Sequence, residues 1–215
     1  MLEMRRVCRT VAGILAAAWA GAAGSAQQPP PAAPTPVPAI LQNYRAVTAD
    51  RLLKPDDNDW LMIRRTYDGW GYSPLSQITP DNVQRLQPLW VFSTGMTSGH
   101  QAPPIVNGGV MFVATPSNQV IALEAKTGRL LWRYRRRAPD DLILLHPTSR
   151  GIALFGDKVF FAANEAVLVA LDARTGKEVW TTKVGDNKEG YYMSLAPLVA
   201  DGTAGPGDCR CGPAA

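Results

Sequence analysis

The stretch GGVMFVATPSNQVIALEAKTGRLLW, residues 108–132, decides the fold because a second copy of it follows. The counterpart is GDKVFFAANEAVLVALDARTGKEVW, residues 156–180, at an offset of 48 residues and without a gap. Nine of the 25 aligned positions are identical, and others exchange like for like, such as Glu124 with Asp172. An internal repeat of this length is typical of solenoids and propellers and outweighs other fold signals.

Both copies share one order of strands and turns. Two short apolar runs, VMFVA and QVIAL in the first copy, predict buried strands joined by a turn. An acid, two residues and Thr-Gly follow, and then a third strand ending in Trp. Gly128 and Gly176 are suited to the positive φ of a tight hairpin. Trp132 and Trp180 recur at one register, which predicts that each fills the same niche between neighbouring sheets.

A 48-residue unit of short antiparallel strands with one Trp anchor is the size of a propeller blade. LAPLVADG, residues 195–202, echoes APPIVNGG, residues 102–109, and starts a third repeat. We therefore expect an all-β fold over residues 43–202, a partial β-propeller with two to three blades present. Short helices are expected between residues 41 and 86, where TADRLLK, DDNDWLMIRR and TPDNVQRL offer caps such as Thr79 ahead of apolar positions.

Residues 1–26 predict a signal peptide. Arg5, Arg6 and Arg9 precede the apolar stretch VAGILAAAWAGAA, and small residues follow it. Residues 27–42, rich in proline, predict a semi-extended linker. The mature protein is then exported, most simply to the periplasm, without stable membrane insertion; an uncleaved anchor is the alternative.

Residues 203–215 abandon the pattern. Ala, Gly and Pro fill eight of these 13 positions, beside Cys209 and Cys211. A lone C-x-C is a poor zinc signal, and cysteines so close form a strained disulfide, so we assign them no metal or redox role. Two interpretations stay open, a frameshift near Gly202 and a genuine flexible tail.

The net charge of +4 is only mildly basic. The dense basic run RYRRR, residues 133–137, follows a Trp and is interpreted as a solvated strand end or loop. Nucleic-acid binding needs a basic face, so no nucleic-acid partner is expected.

Three stretches carry a family resemblance. ALEAKTGRLLW and ALDARTGKEVW resemble the tryptophan-docking motif of the dehydrogenases that depend on pyrroloquinoline quinone (PQQ). YSPLSQITPDNVQRLQPLWVFSTG, residues 72–95, and GHQAPPIVNGGVMFVATPSNQVIAL are similar to the N-terminal part of the same alcohol dehydrogenases. The resemblance implies an eight-bladed propeller with PQQ and calcium or a lanthanide on its axis. It also implies oxidation of small alcohols in the periplasm, with electrons passed to a cytochrome c.

The resemblance places three cofactor-binding positions in this chain. Gln101 stands where the family commonly has a Glu beside the cofactor, and keeps hydrogen-bonding capacity without the charge. Arg150 matches an Arg near the quinone, and Ser194 matches a hydroxyl residue that contacts PQQ. Leu144 and Leu145 stand where many members have adjacent cysteines. The alternative roles are an inter-blade ion pair for Arg150 and a strand cap for Ser194.

The family's metal ligands and catalytic aspartate match nothing in this chain, so no catalytic or metal residue is assigned and the chain alone is expected to be inactive. Unpaired blade edges favour aggregation or oligomerisation. Two non-enzymatic alternatives remain. One is a PQQ-repeat scaffold in outer-membrane protein assembly, and the other is an exported binding module that oligomerises to complete a ring.

Overall fold

Two four-stranded antiparallel sheets form the body of the computed structural model, which describes residues 36–200 and 202–205. In both sheets the strands are neighbours in chain order, so each is a meander. Sheet 1 consists of β1 (Ile105–Asn107), β2 (Val110–Thr115), β3 (Gln119–Glu124) and β4 (Leu130–Arg135). Sheet 2 consists of β5 (Ile152–Phe155), β6 (Lys158–Ala163), β7 (Val167–Asp172) and β8 (Glu178–Lys183).

The internal repeat of the sequence is a repeat of structure. The pairing register of the third and fourth strands shifts at Ala122/Leu123 in sheet 1 and at Ala170/Leu171 in sheet 2. Both bulges occur just ahead of the Thr-Gly turns, at equivalent positions of the two copies. The predicted blade is confirmed, with two differences. Each sheet has four strands, and Trp132 lies in the third position of β4 and not at its end.

A third hairpin begins the next repeat. Strand β9 (Leu198–Ala200) pairs antiparallel with β10 (Thr203–Gly205), as β1 pairs with β2. The tail that the sequence analysis starts at residue 203 therefore contains three residues of regular strand, and Ala204 is buried. Backbone pairing needs no large side chain, which is why composition missed this strand. Cys209 and Cys211 lie outside the described residues.

Tryptophan side chains join one sheet to the next. The Trp132 indole N–H donates to the carbonyl oxygen of Ala173 at 2.9 Å. Its ring lies so close to Gly176 that a Cβ there would come within 2.5 Å. Trp132 also packs on Phe112 of its own sheet, with ring centroids 5.8 Å apart. The predicted niche between neighbouring sheets is thus confirmed for Trp132.

Trp180 repeats only half of this arrangement. It packs on Phe160 with the same centroid distance, 5.8 Å. Among the described residues, its indole N–H has no acceptor and no glycine turn lies against its ring.

Two short helices precede the sheets. They are α1 (Ala39–Gln42) and α2 (Ala49–Leu53), and a 3₁₀ turn follows at Val83–Arg85. The Thr48 hydroxyl accepts from the Arg51 N–H and caps α2, as expected from TADRLLK. The helix expected from DDNDWLMIRR is absent from the described structure. There the chain is irregular, and Trp60 pairs with Val106 of β1.

The cap predicted at Thr79 is present only in part, because its carbonyl oxygen accepts from the Val83 N–H at 2.9 Å but its hydroxyl makes no capping bond among the described residues. The Thr79 backbone N–H donates to Asn82 Oδ1 at 2.8 Å, and the 3₁₀ turn begins only at Val83. The bond from the Thr79 N–H to the Asn82 side chain is one half of a capping box, and it supports this short turn.

The last residues of the predicted linker range lie in the described structure. Residues 39–42 form α1, and Leu41 is fully buried in the core, where its apolar side chain contributes to stability. The signal peptide at 1–26 and the linker residues up to 35 lie outside the described residues. Within the described range, no helix has the length and apolarity needed to cross a bilayer.

A buried polar cluster fastens this leading segment to sheet 1. Arg51 donates to Asp59 Oδ2 at 2.7 Å and to Asn107 Oδ1 at 2.9 Å. Asp59 Oδ1 accepts from the Gly108 N–H at 2.8 Å, at the turn between β1 and β2. All three side chains are almost fully buried. The charges of Arg51 and Asp59 therefore neutralise each other away from water.

Candidate cofactor site

The three predicted site residues all lie just ahead of the first strand of a sheet or hairpin. Gln101 precedes β1, Arg150 precedes β5 and Ser194 precedes β9. Because β1, β5 and β9 open equivalent units, these residues share the end of the sheets at which each unit starts. Residues at the ends of strands, on connecting loops, are where binding groups usually collect.

Arg150 and Ser194 are in direct contact. The Arg150 backbone N–H donates to the Ser194 carbonyl oxygen at 3.0 Å, which aligns the two loops. Its guanidinium Nη1 donates to Ser194 Oγ at 2.5 Å. The Arg150 side chain is otherwise exposed, and its Nε and Nη2 have no acceptor within the described part of the chain. The pair thus offers a positive fork and a hydroxyl side by side.

Gln101 is not joined to this pair. Its side chain is exposed and bonds to no described residue. The neighbouring His100 is held by its own loop, with Nε2 at 2.9 Å from Thr94 Oγ1 and Nδ1 at 3.0 Å from the Ser98 carbonyl oxygen. The structure therefore brings together two of the three predicted residues.

Sequence reasoning missed the side chain that supports the pair. Asn164, buried in the turn between β6 and β7, donates through Nδ2 to the carbonyl oxygens of Thr148 and Met193, at 3.1 and 2.9 Å. Thr148 lies two residues before Arg150, and Met193 lies one residue before Ser194. One buried amide therefore holds both loops. Only the turn composition around Asn164 offered a signal, and it did not reveal the distant partners.

A second network connects the two sheets at the same end. Asn118, in the turn between β2 and β3, donates to Glu165 Oε2 at 2.6 Å and accepts from the Asn164 N–H at 2.7 Å. Arg136 Nε donates to Glu165 Oε1 at 2.5 Å. Burial disfavours the charge of Arg136, but the interactions with Glu165 and Tyr134 together outweigh burial, and the pKa of Arg136 is raised. These contacts fix the turn that carries Asn164.

The arginines of the basic run bind partners within this chain. Arg133 lies over the Phe92 ring at 5.8 Å, and Arg135 Nε donates to Gln119 Oε1 at 2.6 Å. Arg137 holds Asp140 with two bonds of 2.9 Å at the exposed loop. The interpretation as a strand end and loop agrees with these positions.

At the two positions where many family members have adjacent cysteines, Leu144 is half-buried and Leu145 is exposed. In the described part of the chain, no three His, Cys, Asp or Glu side chains come close enough to hold a metal ion.

An apolar cavity of about 210 Å³ lies between the leading segment and strands β5 and β9. Leu61, Leu154 and Val199 are among its walls, and the Tyr67 hydroxyl donates to the Val199 carbonyl oxygen at 2.8 Å. No Asp or Glu is among the described residues that line it.

The chain matches the PQQ family described as glucose/ethanol/alcohol dehydrogenase, beta-propeller domain, over residues 60–187. It therefore belongs to this family, and the resemblance noted in its sequence is confirmed. The β-propeller fold is confirmed as well.

Several relatives are named dehydrogenases. The chain is 40% identical over 164 residues to the quinoprotein alcohol dehydrogenase PedH of Pseudomonas putida, covering 74% of this chain and 28% of that protein. It is 44% identical over 138 residues to the quinoprotein ethanol dehydrogenase of Pseudomonas aeruginosa, covering 62% of this chain and 22% of that one. The chain thus spans well under a third of the length of these relatives.

Solved structures give the same result. A quinohemoprotein alcohol dehydrogenase of Pseudomonas putida HK5 superimposes with a TM-score of 0.69 at 33% identity, covering 74% of this chain and 24% of that chain. A europium-containing methanol dehydrogenase has a TM-score of 0.67 at 34% identity, with 72% and 28% covered.

Proposed function

We propose that this chain is the N-terminal part of a periplasmic PQQ-dependent dehydrogenase that oxidises alcohols and passes the electrons to a cytochrome c. The observation that carries the proposal is the contact between Arg150 and Ser194 where two neighbouring units begin. Family membership supports it, because the named relatives are quinoprotein alcohol dehydrogenases.

The donor set fits the cofactor. PQQ presents carboxylate and quinone oxygens, which accept hydrogen bonds, and the Arg150 guanidinium and Ser194 hydroxyl are donors of the matching kind. The Nε and Nη2 groups of Arg150, which have no acceptor among the described residues, would hold such oxygens in a planar fork, while Ser194 Oγ accepts from Nη1 and orients the arginine. Gln101 adds an amide without a charge at the same end. A bound PQQ, with calcium or a lanthanide beside it, would take up the electrons of the alcohol.

The chain by itself is proposed to be inactive. It contains no group to which the family's metal ligands or catalytic aspartate could be assigned, and its relatives are several times longer. Sheet edges favour association with more of the same fold, as does the Trp180 indole N–H, which has no acceptor among the described residues.

The test is a chimera, here called the graft, in which residues 36–200 replace the matching part of the Pseudomonas aeruginosa quinoprotein ethanol dehydrogenase. After addition of PQQ with calcium or a lanthanide, we expect alcohol-dependent reduction of an artificial electron acceptor. Reduction of a cytochrome c tests the proposed partner separately. A folded graft that retains PQQ but reduces neither acceptor contradicts the proposal.

Two arginines provide a matched comparison within the graft. Arg150→Leu removes a charged donor and should weaken PQQ retention about 10- to 100-fold, since such a bond contributes about 1.5–3 kcal/mol. Arg137→Leu removes an equally charged, exposed side chain at the same end and should leave PQQ retention unchanged. Equal effects of the two substitutions would remove Arg150 from the site.

The full chain alone is titrated with PQQ and calcium by calorimetry. We expect no tight binding, and stoichiometric tight binding would show that the two sheets suffice for the cofactor.

A further inference from the structure

Gly151 lies closer to the loop that carries Ser194 than a residue with a side chain normally can. A Cβ at position 151 would lie 3.1 Å from Ala196 Cβ, whereas carbon atoms in ordinary contact are about 3.5–4.0 Å apart. The φ of Gly151 is 148°, a positive value that glycine adopts readily and other residues rarely do. Both the backbone conformation and the neighbouring loop therefore require a glycine at this position.

This close contact cannot relax by rotation of a side chain. Ala196 Cβ is bonded directly to the backbone, so only a movement of one loop away from the other would make room for a Cβ at position 151. An ordinary separation of the two carbons requires a movement of about 0.5 Å or more. One residue before Gly151, the Arg150 N–H donates to the Ser194 carbonyl oxygen at 3.0 Å, and such a movement would lengthen this bond.

The pair of Arg150 and Ser194 lies between two restraints on the same two loops. On the N-terminal side of the pair, Asn164 donates to a carbonyl oxygen of each loop. On the C-terminal side, Gly151 lies against Ala196. The distance between the loops at the pair is thus fixed from both sides.

The orientation of the Arg150 side chain depends on this distance. The side chain is exposed, and Ser194 is its hydrogen-bond partner among the described residues, through Nη1 and Oγ at 2.5 Å. A long exposed side chain with few partners is otherwise free to change its rotamer. The separation of the loops therefore decides whether the guanidinium reaches the hydroxyl that orients it.

We propose that Gly151 is a positioning residue, which sets the distance between the two loops at which Arg150 reaches Ser194. Because it lacks a Cβ, the loops approach until Ala196 is in contact. The use of the pair for a cofactor rests on the proposed function, whereas the distance between the loops is measurable without PQQ.

Hydrogen–deuterium exchange in the graft without PQQ measures this positioning. Gly151→Ala should speed exchange of the Arg150 amide about 10-fold or more, because its bond to Ser194 opens more often. Gly190→Ala is the matched control, since Gly190 has a φ of 87° in the loop that leads to Ser194 but open space at its Cβ position. Equal exchange of the Arg150 amide in the two variants would overturn the proposal. If the graft does not fold, the same amide in the full chain decides.

A second substitution tests the contact itself. Ala196→Gly removes the carbon that the Cβ of Gly151→Ala would meet, so the double variant should recover most of the slow exchange. If Gly151→Ala alone does not fold, the double variant should fold. A double variant that exchanges as fast as the single one, or that also fails to fold, would assign the loss to the backbone conformation and overturn the proposal.

PQQ retention by the graft separates positioning from general stability. Gly151→Ala should weaken retention about 10-fold or more, while Gly190→Ala should not, because a binding site tolerates only small displacements of its groups. In a graft that already carries Arg150→Leu, Gly151→Ala should cause little further loss, since the side chain that it positions is gone. A full further loss would overturn the proposal.

The two proposals fail in different ways. A graft that retains PQQ but reduces neither acceptor contradicts the proposed function, and the retention of its variants still decides the role of Gly151. If the unsubstituted graft binds no PQQ, the proposed function fails and the exchange of the Arg150 amide decides alone. An active graft in which Gly151→Ala behaves as Gly190→Ala does keeps the proposed function and overturns this inference.

Discussion

The ring of Trp132 occupies the space in which Gly176 would carry a side chain. A Cβ at position 176 would lie 2.5 Å from the indole, and the φ of Gly176 is 68°, a left-handed value. The glycine is thus required twice, once by the turn and once by the neighbouring sheet.

Gly176→Ala should destabilise the interface between the sheets. The left-handed φ costs a β-carbon about 1–2 kcal/mol, and displacement of the ring adds about 1–3 kcal/mol. Gly156→Ala is the matched control, because Gly156 has a φ of 58° but open space around its Cβ position. Urea unfolding of the graft should show the larger loss for Gly176→Ala. Equal losses would mean that Trp132 does not need the space.

Arg51→Met should detach the leading segment from sheet 1. Removal of one partner leaves Asp59 buried without its counter-charge, which costs about 3–5 kcal/mol. Arg45→Met removes an arginine from the ion pair with Asp56, whose side chains are 59% and 53% exposed, and should cost about 1 kcal/mol or less. The free energies of unfolding of the two variants measure the difference. If Arg51→Met lowers the free energy of unfolding as little as Arg45→Met does, a structural role of the cluster is contradicted.

Asn164→Leu should loosen the loops that carry Arg150 and Ser194. Two buried carbonyl oxygens lose their donor, at about 1–3 kcal/mol, while side-chain volume is nearly kept. In the graft we expect faster amide exchange at residues 148–150 and weaker PQQ retention. Asn82→Leu is the control, since it removes hydrogen bonds of an exposed turn far along the chain. Unchanged PQQ retention in Asn164→Leu would show that the bonds of Asn164 are not needed for the binding of PQQ.

Alkaline pH should destabilise the protein through two tyrosines. Burial raises the pKa of Tyr44 to about 12, and burial together with the bond to Glu178 raises the pKa of Tyr134 to about 12. The folded state keeps these phenolic protons to higher pH than the unfolded state does. The stabilisation is therefore complete below about pH 10 and falls as pH rises through about 12.

Urea midpoints of the graft across this alkaline window, with tyrosinate absorbance, measure the effect. Tyr134→Phe should make the fall with pH less steep, while Glu124→Gln, which alters an exposed turn carboxylate, should not. If Tyr134→Phe has the same pH dependence as the unsubstituted graft, a raised pKa of Tyr134 is contradicted.

Much of the fold followed from residue pattern because strands and turns are local. The Thr-Gly turns, the apolar runs and the recurring Trp were enough to predict a blade. The early helices were predicted less well, since the backbone of Trp60 pairs with β1 over a long sequence separation. At the site, Arg150 and Ser194 came from the family resemblance. The supporting role of Asn164 could not be predicted from the sequence, because its two partners lie 16 and 29 residues away.

By itself, the sequence determined the repeat, the strand order within each sheet and the glycine turns, because these depend on neighbouring residues and on a period of two along each strand. Only the tertiary structure decided that Arg51 is buried against Asn107, that Asn164 supports two loops, and that Trp90 packs on the turn at Gly128. These relationships join residues far apart in the chain. They depend on how one sheet packs on the next, which no local pattern records.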